Sequence, residues 1–339
     1  MSAMRIRILL FSAALIVVLT VVSIALVTQP FVTPISSQPP HVDSTRLETD
    51  VKHLSVDLYP RSYDRSRNLE LAAQYIVDEF KAAGAAVTVQ EVVVQGEKYK
   101  NIIAHFGPQL GPLMVIGAHY DSHGDANNGA RYPRGYTLET HTPGADDNAS
   151  GVAGLLELSR LLSRKPQTRS IELVAYTLEE PPYFGTEHMG SVWHAHSLAV
   201  AKRDVQLMVS LEMIGYFSDA RGSQSFPFPA MAHLYSDRGD FIGVVGKFSD
   251  FNLTRKVKAL MSGATDLTVY SINAPPLLQG IDFSDHRSYW NEDFPALMVT
   301  DTAFFRNGNH HLAGDAYEKL DYQRMAKVVQ SIYALTQGY

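Results

Sequence analysis

The order of apolar and polar positions along the chain predicts strands that alternate with helices. Residues 113–118 form a continuous apolar run, which is typical of a strand buried on both faces, and residues 170–177 and 206–211 follow the same pattern. Apolar side chains at helical spacing predict helices at residues 69–83 and 152–162. Further strands are predicted at residues 87–94, 101–106, 231–235, 242–245 and 295–300, and further helices after residue 252 and at residues 317–335. This order predicts one α/β domain with a central, mostly parallel sheet flanked by helices on both faces.

An uncharged, mainly apolar run at residues 8–27 predicts a helix that crosses a membrane. Twenty helical residues span about 30 Å, the thickness of a bilayer core. Arg5 and Arg7 precede the run, so the N-terminus is expected in the cytoplasm and the body outside it. The alternative is a signal peptide cleaved near residues 23–25, but the apolar part of a signal peptide is usually only about 7–15 residues long.

The chain divides into three predicted parts. Residues 1–28 are the membrane anchor or signal segment. Residues 29–44 carry four prolines among polar residues and predict an extended linker. Residues 45–339 are expected to form the catalytic domain.

Charge and cysteine content exclude several classes of function. The net charge of −6 argues against binding to nucleic acid, which favours a basic surface. The chain has no cysteine, and this excludes disulfides, thiolate metal sites and a cysteine nucleophile.

Five side chains of the metal-binding type stand mostly at the ends of predicted strands: His119, Asp146, Glu180, Glu212 and His311. In α/β sheets, sites collect beyond the carboxyl ends of the strands. Asp146 is followed directly by Asp147, while Asn148 or Ser150 is available to cap the next helix. A carboxylate that bridges two cations needs such a dense pair of acids. The set therefore predicts a hydrolase site with two zinc ions.

Two further acids are candidates for catalysis. Asp121 stands two residues after His119, so both side chains point the same way on an extended chain, and the carboxylate is expected to orient the imidazole. Glu179 and Glu180 precede Pro181 and are held extended, so their side chains point to opposite sides. One glutamate is then able to bind metal while the other takes a proton from water.

At these residues the chain resembles the co-catalytic zinc aminopeptidases of metallopeptidase family twenty-eight. Relatives of that family include glutamate carboxypeptidase II, the transferrin receptor and the glutaminyl cyclases. The resemblance covers roughly residues 47–335. It is carried by six blocks in the same order: residues 119–122, 143–151, 179–180 with 190–191, 211–215, 284–286, and His311 with Asp315.

The resemblance implies a fold of the zinc-exopeptidase type, a peptide substrate, and removal of N-terminal residues. It implies that Asp146 bridges two zinc ions, and that the bond joining Asp146 to Asp147 is cis. The remaining implied roles are metal ligation by His119 and Glu212 at one zinc and by Glu180 and His311 at the other, with Glu179 as general base.

The chain departs from the family pattern at two positions. Glu212 stands where the family commonly has aspartate, a conservative change that keeps a carboxylate ligand. Ile281 stands where relatives often place a tyrosine that stabilises the oxyanion, so His286 and Tyr289 are the candidates to contact substrate instead. Residues 123–142 are expected to form a loop at the mouth of the site.

Three alternatives remain open from the sequence. A carboxypeptidase of the same fold would recognise a terminal carboxylate, for which Arg131, Arg134, Arg287 and Arg306 are candidates. A glutaminyl cyclase-like acyltransferase would use one zinc, although that group lacks the full set of five ligands. A binding module like the transferrin receptor would be expected to have lost ligands, and this chain retains all five.

Overall fold

The computed structural model describes residues 3–124 and 142–339 of the chain. It begins with helix α1 (Ala3–Thr28), whose stretch Leu10–Thr28 has a mean hydropathy of 2.8. Within these described ranges it is the one helix long and apolar enough to cross a membrane. This stretch of 19 residues rises about 28 Å.

The centre of the body is an eight-stranded mixed sheet. Its strands are β1 (Ala86–Val94), β2 (Glu97–Phe106), β3 (Leu113–His119), β4 (Ser170–Tyr176), β5 (Val205–Glu212), β6 (Phe241–Gly246), β7 (Thr268–Asn273) and β8 (Ala296–Thr300). They pair in the order β1-β2-β4-β3-β5-β8-β6-β7. Pairing is parallel among β3, β4, β5 and β8, and between β6 and β7. The predicted mostly parallel sheet is thus confirmed.

The direction of the strands defines two edges of the sheet. Because β6 pairs antiparallel with β8, strands β6 and β7 end at the edge where β3, β4, β5 and β8 begin. We call this the basal edge. The candidate site lies at the opposite edge, where β3, β4 and β5 end.

Helices cover both faces of the sheet. One face carries α2 (Ser44–Lys52), α3 (Ser66–Ala82), α4 (Gly151–Leu162), α6 (Phe251–Ser262) and α8 (Tyr322–Gly338), and the other carries α5 (Gly190–Val200) and α7 (His286–Asn291). Strand β3 shows why: Met114 and Ile116 pack into the core on the first face, whereas Leu113 and Val115 pack into the core on the second. The continuous apolar run thus forms a strand buried on both faces.

One local prediction is wrong, and one strand was missed. The strand expected at residues 231–235 is a short helical turn, Pro229–His233, whose first residue is the proline. Met231 and Tyr235 face a cavity instead of a neighbouring strand. Strand β7 was not predicted, because it is only six residues long and its buried positions include the polar Ser271 and Asn273.

Residues 29–43 run along the body outside any helix or strand. The backbone N–H of Ile35 donates to Ala259 of α6, and Gln330 of α8 donates to the carbonyl of Pro40. The proline-rich segment is therefore attached to the body at several points. The domain boundaries at residues 28 and 44 stay predictions.

Candidate active site

His119 ends β3 and is completely buried. Its Nδ1 donates a hydrogen bond to the backbone carbonyl of Asp121 at 3.1 Å. Because a carbonyl only accepts, the Nδ1 proton is fixed, and the neutral ring presents the lone pair of Nε2. That Nε2 lies 3.2 Å from Asp147 Oδ1 and 3.5 Å from Glu212 Oε2. It has no hydrogen-bond partner of good geometry among the described residues.

Asp147 lies between two histidines. Its Oδ1 faces His119, and its Oδ2 lies 3.1 Å from His311 Nε2. The expectation that Asp146 occupies this position is wrong, as is the expected position of the cis bond, which joins Asp147 to Asn148.

Asp146 points the other way because its carboxylate is held by other partners. Its Oδ1 accepts the backbone N–H of Gly215 at 3.0 Å, and its Oδ2 accepts from Asn307 Nδ2 at 3.0 Å. Adjacent side chains on non-helical backbone point to opposite sides, so only one of the two aspartates reaches the histidines.

The second half of the site surrounds His311. Glu180 Oε2 lies 3.2 Å from His311 Nε2, and the ring of His123 stacks on that of His311 with the centroids 4.2 Å apart. His310 Nε2 lies 3.3 Å from Asp147 Oδ2. Sequence reasoning missed His123 and His310, although each stands within two residues of a predicted site residue. Three groups of potential ligands result: His119 with Asp147 and Glu212, Asp147 with His310 and His311, and His123 with Glu180 and His311.

Two buried aspartates hold the backbone that carries these acids. The carboxylate of Asp121 accepts the N–H groups of Glu179 and Glu180 at 3.2 and 3.0 Å. The carboxylate of Asp121 lies 3.5 Å from His119 Nδ1, farther than the backbone carbonyl of Asp121. The backbone carbonyl, and not the expected carboxylate, therefore accepts the hydrogen bond that orients the imidazole. The carboxylate of Asp315 accepts the N–H groups of Asp146 and Asp147, each at 3.1 Å.

A buried arginine joins the loops below the site. Arg61 donates through Nε to the carbonyl of Tyr120 at 2.9 Å, and through its terminal nitrogens to the carbonyls of Leu54, Pro143 and Gly144. Burial lowers the pKa of Arg61 to about 10, and nearby carboxylates oppose this shift. The sequence gives no motif that would have identified Arg61.

Burial strongly shifts the pKa values of the acids of the site. It raises the pKa of Glu179 well above its usual range and, against the charge of His311, raises the pKa of Glu180 to about 7. Burial also raises the pKa of Glu212. Burial alone would raise the pKa of Asp147, but the neighbouring imidazoles of His119 and His311 hold it well below its usual range. Such a concentration of buried acids is costly without cations.

A cavity of about 680 Å³ opens beside the acids. Asp147, Glu179, Glu180 and Glu212 border it, and aromatic and aliphatic side chains form most of the remaining wall, together with His310, His311 and several uncharged polar residues. No lysine or arginine from the described part of the chain lines it. The cavity suits a substrate with a largely apolar body.

The residues expected to contact substrate do not line this cavity. His286 is fully buried and donates through Nε2 to the carbonyl of Ile281 at 2.8 Å. The hydroxyl of Tyr289 is hydrogen-bonded to the hydroxyl of Tyr176 at 2.7 Å and to Nδ1 of His194 at 2.6 Å inside the core. The prediction that His286 and Tyr289 bind substrate is therefore wrong, because other core groups engage both side chains.

The arginines proposed for a terminal carboxylate lie elsewhere. Arg306 is buried and donates to Gln224 and to the carbonyl of Tyr216. Arg287 lies 3.7 Å from Asp282 and does not line the cavity. Arg131 and Arg134, like most of the expected mouth loop at residues 123–142, lie outside the described residues.

Comparison with known proteins connects this geometry to a family. The profile of peptidase family M28 matches residues 101–336. The uncharacterised protein YfbL of Escherichia coli is 51% identical over 307 residues, covering 91% of this chain and 92% of that protein. Leucine aminopeptidase 1 of Neurospora crassa is 26% identical over 275 residues, covering 79% of this chain. The alignment spans only 60% of the length of that aminopeptidase.

Solved structures share the fold. LapB of Legionella pneumophila matches with a TM-score of 0.67 and 22% identity, over 88% of this chain and 72% of that one. A glutaminyl cyclase of Bacteroides thetaiotaomicron matches with a TM-score of 0.66 and 17% identity, over 89% of this chain and 100% of that one. The relationship predicted from the six sequence blocks is confirmed, and the chain belongs to peptidase family M28.

Proposed function

We propose that this peptidase is an aminopeptidase that uses two zinc ions to remove N-terminal residues from peptides. We further propose that α1 anchors it in a membrane with its catalytic body outside the cytoplasm. The observation that carries the proposal is the position of Asp147 between His119 and His311, with Glu212 on one side and Glu180 on the other.

The donor set fits two divalent cations. Imidazole nitrogens and carboxylate oxygens are the usual ligands of catalytic zinc. His119 Nε2 and Glu180 Oε1 are buried without a hydrogen-bond partner in the described residues, as expected of atoms placed to bind metal. His119 and Glu212 would hold one ion, Glu180 and His311 the other, and Asp147 both. His123 and His310 would support the second position.

The residues around this set suggest how hydrolysis proceeds. When bound, two zinc ions polarise a carbonyl group and make water more acidic. Glu179 borders the cavity, its Oε2 lies 3.8 Å from His119 Nε2, and burial raises its pKa. It would accept a proton from the attacking water and pass it to the leaving amine. Asp121 would position Glu179 by accepting its backbone N–H.

The lining of the cavity favours an amine over a carboxylate as the recognised end of the peptide. The two proposed zinc ions would balance the charge of the four carboxylates that border the cavity, and the described residues contribute no lysine or arginine to its wall. A terminal carboxylate would therefore have no cationic side chain to pair with. This supports an aminopeptidase over a carboxypeptidase.

A glutaminyl cyclase-like acyltransferase is the second candidate. The structural likeness to the cyclase of Bacteroides thetaiotaomicron supports it. Asp147 has potential metal ligands on both sides, His119 with Glu212 and Glu180 with His311, which is enough for two zinc ions. This favours the peptidase, because the resemblance implies that a cyclase works with one zinc.

The test uses the full chain in detergent. Leucyl and phenylalanyl anilides with a free amine should be hydrolysed, whereas their N-acetyl forms and C-terminally free peptides with a blocked N-terminus should not. Glu179→Gln should lower kcat by about 10²–10⁴-fold with the zinc content unchanged. The exposed Glu187→Gln is the matched control. Hydrolysis of the blocked substrates, or cyclisation of N-terminal glutamine without peptide cleavage, would contradict the proposal.

A further inference from the structure

The end of α1 is fastened directly to the catalytic body. Gln29 is 1% exposed, and its Nε2 donates to the carbonyl of Phe251 at 2.8 Å and to Asn273 Oδ1 at 3.1 Å. Lys258 Nζ donates to the carbonyls of Thr28 and Gln29 at 3.2 and 2.9 Å. Asn273 ends β7 and Phe251 begins α6, so α1 meets the body at the basal edge.

The segment that follows Gln29 is also hydrogen-bonded to the body, which further fixes the position of the body relative to α1. The backbone N–H groups of Ile35 and Ser37 donate to the carbonyls of Ala259 and Gly263 at 2.8 and 3.0 Å. A Cβ at Gly263 would lie 1.9 Å from the carbonyl oxygen of Ile35, so this close contact requires glycine. The helix and the body are therefore held together, and α1 determines which surface of the body lies nearest to a membrane.

Exposed apolar side chains concentrate at the basal edge. Outside α1, six large apolar residues in the described ranges are more than half exposed: Phe31 (81%), Leu110 (81%), Val200 (68%), Phe228 (58%), Phe248 (58%) and Leu277 (96%). Leu110 precedes β3, Val200 ends α5 just before β5, Phe248 follows β6, and Leu277 follows β7. Phe31 stands two residues after Gln29. Of the six, only Phe228 belongs to the opposite edge, in the connection that leads from the end of β5 to the start of β6.

The charge of the same edge is also distinctive. The loops leading into β4 and β5 carry five cations, Arg164, Lys165, Arg169, Lys202 and Arg203, against one acid, Asp204. The loop before β8 adds Glu292 and Asp293, so the edge keeps a positive balance in a chain of net charge −6. Long basic side chains that surround exposed apolar groups suit a surface of lipid headgroups.

We propose that the basal edge rests on the bilayer that α1 spans, with Phe31, Leu110, Val200, Phe248 and Leu277 in its interfacial layer. Single exposed apolar side chains are ordinary, but this group surrounds the exit of a helix of bilayer length and extends across the edge to β3. The seven residues of β3 then hold the catalytic centre about 20 Å above the lipid, facing water. The inference rests on the proposed anchor and is independent of the peptidase chemistry.

The absence of cysteine makes a direct test possible. Phe248→Cys and Phe228→Cys form a matched pair, because both phenylalanines are 58% exposed, and Leu110→Cys reports on the far end of the edge. Each full-length variant is labelled with a small fluorophore and reconstituted into vesicles that contain anionic lipid. A quencher attached near the lipid headgroup should reduce the signal at positions 248 and 110 several-fold more than at position 228. Aqueous iodide should show the reverse order.

Several results would overturn the inference. Equal lipid quenching at positions 248 and 228 would contradict it. Quenching at 248 without quenching at 110 would also contradict it, because the contact would then be confined to the exit of α1. Self-quenching that grows with the ratio of protein to lipid would assign the surface to a second copy of the chain. Mass spectrometry of the intact protein shows whether α1 is still attached, and so separates a failure of the docking inference from a failure of the anchor proposal. A chain that lacks α1 refutes the anchor proposal, whereas an intact chain with an unquenched edge refutes only the docking.

Discussion

The two carboxylate oxygens of Asp121 accept the backbone N–H groups of Glu179 and Glu180, so a residue that follows β3 determines where both glutamates after β4 point. Asp121 also accepts the Nδ1 proton of His119 through its own carbonyl. One aspartate thereby orients a candidate ligand in each half of the site as well as the candidate base.

This arrangement predicts the effect of Asp121→Asn. An amide in place of the carboxylate accepts through only one atom, so one glutamate N–H loses its partner. We expect metal affinity to fall by about 10–100-fold, the usual effect of removing a group that orients a ligand. Titration against a competing chelator measures the change. The exposed Asp78→Asn is the control, and equal zinc affinity in both variants would refute the role of Asp121.

Arg61 should be essential for the stability of the site. Arg61→Met removes donors to four backbone carbonyls on three chain segments and should lower the free energy of unfolding by on the order of 3–5 kcal/mol. Arg61→Lys keeps the charge, but a single nitrogen cannot reach all four carbonyls, so it should recover only part of the loss. Denaturant unfolding measures both variants. Wild-type stability in the methionine variant would show that these bonds contribute little.

A buried acid far from the site should make stability depend on pH. Burial would raise the pKa of Glu172, but His105 and His194, each 3.3 Å away, lower it to about 2. Because the folded pKa lies below the unfolded value of 4.5, the stabilisation is present above pH 4.5 and is lost as the pH falls towards 2.

Glu172→Gln should therefore reduce the free energy of unfolding at pH 7 by on the order of 1–3 kcal/mol, and by less at pH 3. Urea unfolding at the two pH values tests this, with the exposed Glu187→Gln as the control. A reduction of the same size at both pH values would contradict the assigned pKa of Glu172.

The apolar wall of the cavity should determine which residues are removed. Without a lysine or arginine in the described wall, an acidic side chain would enter without an ion-pair partner, so kcat/KM for leucyl and phenylalanyl substrates should exceed that for glutamyl substrates by about 10² or more. Met231→Lys places a cation at the wall and should lower the ratio of kcat/KM for leucyl substrates to that for glutamyl substrates. Met231→Leu is the neutral control. A wild-type enzyme that prefers glutamyl substrates would show that the cavity does not receive the N-terminal side chain.

The sequence predicted the strands of the centre of the sheet and the positions of His119, Glu180 and Glu212 relative to them, whereas His311 was identified only through the family resemblance. Long apolar runs identify buried strands, and the ends of parallel strands share one edge. Local pattern therefore sufficed for those three residues. It did not suffice for β7, which is short and partly polar.

The local sequence pattern could not show which of Asp146 and Asp147 faces the two histidines of the site. The two residues are chemically identical neighbours, and their directions depend on Gly215 and Asn307, which are distant in the chain. The same holds for His286 and Tyr289, which core partners engage through contacts that no motif reveals. Side-chain direction depended on tertiary partners, whereas element type depended on local sequence.

The most direct test of a two-zinc centre built around Asp147 is the zinc content per chain. Elemental analysis of the purified full-length protein should give about two zinc ions in the wild type. Asp146→Asn should retain them, because Asp146 faces Gly215 and Asn307, whereas Asp147→Asn should lose at least one ion while its circular dichroism stays that of the wild type. One zinc or none in the wild type, or full zinc content in folded Asp147→Asn, would contradict the account.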